Sequence, residues 1–131
     1  MNENNEKLLE HCDEYATELL KGTGESYPFG AYLDTIDNVH PLEMEFDPKQ
    51  MPKIGAVMEK LTKYCNEELE AKRMNAFAIC YEVEVAISEE EKLTCIAIDI
   101  TNPAEETPLF YLPYTTTEMG VGVQEMFAVK R

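Results

Sequence analysis

Positive charge is what this chain has least of. Lysine and arginine supply 11 side chains against 26 aspartates and glutamates, a formal net charge of −15 over 131 residues. Divided after Asn66, the first half holds 13 acids and 6 bases and the second 13 acids and 5 bases, so the charge is not a tail. Such a field repels phosphate backbones and anionic lipid surfaces, so no nucleic acid and no membrane is expected as a partner. It favours a basic protein partner and speeds the encounter.

Long apolar runs are also missing. None approaches the ~20 residues that a bilayer span requires. The opening MNENNEKLLEH lacks the basic segment and apolar stretch of a signal peptide. The cysteines, Cys12, Cys65, Cys80 and Cys95, show no CxxC spacing and are expected to be reduced, which places the chain in the cytoplasm. No nucleophile elbow, P-loop, dinucleotide fingerprint or HExxH occurs. The lone Gly120-Val121-Gly122 precedes a strand, the wrong context for a phosphate cradle. Neither His11 nor His40 is set by sequence beside a thiol as a base, and "DTIDN" lacks the glycine and ligand spacing of a calcium loop. No catalytic residue, cofactor or metal is therefore assigned.

What is present reads as one α+β domain over residues 1–131. Leu8, Leu9, Cys12, Tyr15, Ala16, Leu19 and Leu20 recur at three and four, the stripe of an amphipathic helix that Gly22 and Gly24 end. In "ESYPFGAYLDTIDNVHPLEM" a hairpin is expected, turning at Thr35–Asn38. Pairing Asp34 with Val39 sets Leu33 against His40, Ala31 against Leu42 and Phe29 against Met44. Tyr27 and Phe29 then fill the core, and Tyr32 faces the other way. Asp47, Pro48 and Gln50 can cap a second helix, with Pro52 shifting its regular start to about Met51. Ile54, Val57, Met58, Leu61, Tyr64, Cys65 and Leu69 form its stripe, and Lys72 and Arg73 finish it.

The remainder alternates with a period of two. Phe77 to Ile87 and Thr94 to Ile100 form a hairpin turning at Ser88–Glu91, and Leu109–Leu112 and Val121–Val129 give two further strands. Pairing Ile87 with Lys92 brings Val83 opposite Ile96, Tyr81 opposite Ile98 and Ile79 opposite Ile100, so the large apolar side chains share a face. The expected architecture is a two-layer sandwich in the order α-β-β-α-β-β-β-β, an antiparallel sheet covered on one face by two helices.

The segments "YPFGAYLD", "AFAICYEVEV", "AIDI" and "FYLPY", together with the capped helix, resemble a family of small uncharacterised bacterial α+β proteins. The resemblance covers residues 27 to about 127. It implies the fold and carries no activity or catalytic residue.

The function expected is that of a cytosolic, non-catalytic protein-interaction module with an acidic surface. Its protein-binding residues are expected to be Tyr32, Glu82, Glu84 and Asp99, because all four fall on the sheet face that the helices should leave free. Paired carboxylates on an open strand have no cleft for acid–base work. An immunity-type inhibitor of a basic toxin or nuclease is the sharper alternative. A small-molecule binder or enzyme with a helix–sheet pocket near His40 and Tyr64 is another. Self-association stays open, since edge strands invite pairing.

Overall fold

The computed structural model describes residues 1–23, 28–42 and 53–131. Its elements are α1 (Glu3–Thr23), β1 (Phe29–Leu33), β2 (Val39–Leu42), α2 (Ile54–Glu70), β3 (Ala76–Ala86), β4 (Lys92–Thr101), β5 (Leu109–Thr117), β6 (Gly120–Val123) and β7 (Phe127–Val129). The α+β class, the antiparallel sheet and the element order follow the expectation, with the last strand divided into β6 and β7. The strands lie in the order β2-β1-β3-β4-β5-β6, and β7 also pairs with β5. Every pairing is antiparallel. No helix among the described residues is long and apolar enough to cross a membrane.

Each helix begins and ends for local reasons. Asn2 caps α1, its Oδ1 accepting the Asn5 amide at 2.8 Å, while the Asn2 amide donates to both Glu105 carboxylate oxygens at 2.9 and 3.0 Å. A carboxylate there meets the positive end of the helix dipole. Gly22 lies within α1 rather than ending it. For α2, Lys53 stands at the N-cap without a side-chain bond. The caps expected at Asp47, Pro48 and Gln50, like Tyr27, Met44 and Pro52, lie outside the described residues. At its other end, Lys72 takes a left-handed φ of 59°. The Lys72 amide then reaches the Leu69 carbonyl at 3.1 Å and the Arg73 amide reaches Glu68 at 3.0 Å, a Schellman closure. Lys72 and Arg73 thus follow the helix instead of completing it.

Both hairpins are offset by one residue from the expected register. Leu33, not Asp34, pairs with Val39. Ala86, not Ile87, pairs with Lys92, so Ile96 lies opposite Glu82, Ile98 opposite Cys80 and Ile100 opposite Ala78. In each case the loop is one residue longer than expected. Asp34 N–H bonds the Asn38 carbonyl at 2.9 Å, and Ile87 N–H bonds the Glu91 carbonyl at 2.9 Å. Asp34 Oδ1 accepts from the Ile36 and Asn38 amides at 3.0 and 2.9 Å, and Asp37 supplies the left-handed residue at φ 62°. A shift of one residue exchanges the faces of a strand.

The exchange distributes the helices. On one face α1 lays Leu8, Cys12, Ala16 and Leu20, all at 0% exposure, over Ala31, Ala76, Ala78 and Cys80 of the central strands, with Ile96, Ile98 and Leu112 beside them. Small residues on β3 let the helix come close, and the large side chains of β4 fill the flank. Each fully buried Leu or Ile contributes roughly 1.5–3 kcal/mol. On the opposite face α2 packs Val57, Leu61 and Cys65 against Phe77 and Ile79, with Tyr32, Leu42 and Tyr81 at the margin. One helix therefore covers each face, where both had been expected on the same one.

Candidate functional site

The register decides where the four expected binding residues stand. Tyr32 pairs with Phe77, and Asp99 pairs with Ile79, so both lie on the α2 face. Glu82 and Glu84 pair with Ile96 and Thr94, which puts them on the α1 face. The four residues therefore do not form one surface. Cys95 and Ala97 also lie on the α2 face through their pairing with Val83 and Tyr81.

Tyr32 is held by its neighbours. Its ring stacks on His40 with centroids 5.0 Å apart. His40 Nε2 lies 2.7 Å from Asp34 Oδ2. Hydrogen bonds from the Asn38 amide and then from His40 hold the Asp34 carboxyl below its usual value. This aromatic and carboxylate group closes the β1–β2 turn. Asp99 is bound by Arg131, which also donates to the Ile100 carbonyl at 3.2 Å and to the Thr107 carbonyl at 2.9 Å. Its charge is thus matched within the chain.

Glu82 and Glu84 emerge on the α1 face past the apolar part of β3. Both are exposed. Glu84 lies 4.0 Å from Lys92. The Tyr114 phenol, 8% exposed, is pushed up to about 12 by burial and then by its hydrogen bond to Glu82. A hydroxyl held protonated beside a carboxylate donates a hydrogen bond and is no base at neutral pH. Glu82, Lys92 and Tyr114, with Thr94, Thr115 and Thr116, line an open hollow of about 570 Å³.

The other face holds what the sequence reading did not single out. The α2 cluster ends at Tyr81. Beyond it Val83 and Val85 on β3, Leu93 on β4, Tyr111 on β5 and Phe127 on β7 share that face through their pairings, and each is only half-buried. Tyr111 and Phe127 meet with ring centroids 5.3 Å apart. From Tyr81 to Val85, Leu93 to Ala97 and Leu109 to Pro113, every residue on this face is uncharged. Asp99, matched by Arg131, marks the boundary. The signal for this surface is in "YEVEV": Glu on one side and Tyr and Val on the other is the pattern of a strand whose second face is interior.

The crevice between α2 and the sheet, lined by Met58, Thr62, Asn66, Tyr81, Asp99 and Thr101 among others, holds about 170 Å³. Small-molecule sites generally offer about 300–1,000 Å³. Tyr64 is 47% exposed and does not line it. All four cysteines are free and buried. Cys80 and Cys95 lie on opposite faces, and Cys80 meets Cys12 of α1, with burial first and that contact second raising its thiol pKa. A thiol so placed is inert as a nucleophile. No cluster of His, Cys, Asp and Glu able to hold a metal occurs among the described residues. No family model, curated protein or solved structure matches the chain.

Proposed function

We propose that the chain is a protein-interaction module acting in the cytosol, and that its working surface is the part of the sheet face beyond α2. One observation carries this reading: a chain of net charge −15 keeps an apolar lattice on β3, β4 and β5 free of unmatched charge. Apolar surface of that kind is favoured at contacts and is unfavourable in water. Four reduced, buried thiols suit a reducing compartment. Glu82 and Glu84 face the opposite way and lie outside this surface, while Tyr32 and Asp99 are held by neighbours. The immunity-type reading rests on acidity alone, and the 170 Å³ crevice gives little room to a small-molecule ligand.

A photo-cross-linking side chain at position 83, with one at position 84 as the opposite-face control, tests the reading in cells. Discrete polypeptide adducts from 83 and none from 84 are expected. Equal patterns from the two positions, or none from 83, would refute it.

A further inference from the structure

We infer that the bare half of the α2 face is closed by a second copy of this chain, related by a twofold axis running parallel to the strands over β4 and β5. The inference rests on the interaction-module reading and names its partner.

α2 covers one half of the face and leaves the other bare, so the face has a step. A helix is about 10–12 Å thick, and two stacked sheets sit about 10 Å apart. The step height thus equals the spacing at which a second sheet would rest on the bare half. Under the twofold operation the two bare halves meet, and each α2 stands beside the outer edge of the partner's sheet. That edge is formed by β6 and β7 beyond β5. Covering it removes unpaired backbone groups from water-exposed strands, a recurrent way of protecting an edge. The same patch meets itself, as a twofold contact requires.

A basic partner would be drawn to carboxylates, and the bare lattice has none that is unmatched: Glu82 and Glu84 of the same strand point away, and Asp99 is bound by Arg131. Two chains of −15 can approach most readily where neither presents charge.

Strand spacing times the two-residue repeat gives roughly 33 Å² per side-chain position, so the nine positions of the lattice on β3, β4 and β5 span on the order of 300 Å² of sheet per copy. A standard interface buries about 800 Å² per partner, the balance here coming from the flank of α2 against the far edge. A contact of this extent lies at the small end for stable complexes, so a reversible dimer whose population rises with concentration is expected.

Sedimentation velocity on the full chain, from about 1 to about 200 μM, reads this directly. The mass is expected to rise from 15.0 kDa towards twice that value with concentration. Raising salt from about 0.05 to about 0.5 M should increase the dimer fraction several-fold, because screening removes repulsion between like charges. A basic partner would show the reverse dependence. Val83→Asp should stay at 15.0 kDa throughout, and Glu84→Gln should dimerise as the native chain does. Should Val83→Asp fail to fold by circular dichroism, Val129→Asp replaces it, since Val129 pairs with Leu109 on the same face and is 44% exposed. A single 15.0 kDa species at every concentration and both salts overturns the proposal, as does a folded aspartate variant that still dimerises. The cross-linking result then separates the two readings. Adducts from position 83 to a different polypeptide retain the module and discard the second copy, and their absence discards both.

Discussion

Gly30→Ala tests how closely β1 and β3 approach. Gly30 lies in β1 between Leu42 of β2 and Ile79 of β3. A Cβ there would stand 2.9 Å from the Ala78 carbonyl oxygen, where ordinary contact begins near 3.4 Å, and 3.6 Å from both Ile79 Cδ1 and Leu42 Cβ. The obstructing atom is backbone in the central strand, so no side chain can swing aside and the ladder itself must shift by about half an ångström. Overpacking of that kind costs about 1–3 kcal/mol. Replacing glycine also removes freedom from the unfolded chain, which returns about 0.4–1 kcal/mol. The net expectation is a loss of about 1–2 kcal/mol, or roughly 4–8 °C in Tm for a domain of this size. Urea unfolding followed by circular dichroism should show a lower midpoint with an unchanged slope. Gly22→Ala is the control. A Cβ at Gly22 meets nothing within 4 Å, and the residue lies in α1. Alanine there should stabilise by up to about 0.5–1 kcal/mol. If Gly30→Ala is as stable as the native chain, or if both substitutions shift stability alike, the close approach is not what this position requires.

Ile98→Ala, under α1 at 0% exposure, should cost about 2–5 kcal/mol, whereas Val83→Ala, half-buried beyond α2, should cost under about 1 kcal/mol at low micromolar concentration. Equal losses in urea titrations would show that the faces of β3 and β4 are wrongly assigned. Lys72→Gly should raise stability by about 0.5–1 kcal/mol, since Lys72 is exposed at a left-handed φ of 59°, where glycine has no Cβ clash. A lower thermal midpoint would argue against the Schellman closure. The Tyr114 phenol is raised from 10.0 to about 12 by burial and Glu82, so its stabilising contribution is complete below pH 10.0 and is lost as pH rises towards 12. Tyr114→Phe should therefore unfold with a shallower alkaline dependence in that window, and superimposable curves would refute the raised phenol pKa.

The two helices, the strands and their order could be read from the chain because each depends on a local period: three and four for Leu8 to Leu20 and for Val57 to Leu69, two for Phe77 to Val85. The register could not, and the reason is physical. Matching large with large across β3 and β4 assumes that one face is core and the other solvent. Here both faces of β3 are interior at its Ala76–Cys80 end, so Ala78 opposite Ile100 is as well buried as Ile79 opposite Ile100 would have been. What separates the two pairings is α1, which needs Ala31, Ala76, Ala78 and Cys80 beneath it, a requirement set by a helix more than fifty residues away in the chain. The loops add to the ambiguity. Asp34–Asn38 and Ile87–Glu91 each close with one residue more than the turn chemistry suggests, and Ile87, apolar and in phase with β3, ends 57% exposed. The same one-residue shift divides the expected site. It leaves Glu82 and Glu84 facing water past α1 and gathers Val83, Val85, Leu93 and Tyr111 into one uncharged lattice on the opposite face. In "YEVEV" the carboxylates mark the solvent side, and the surface proposed for contact lies behind them.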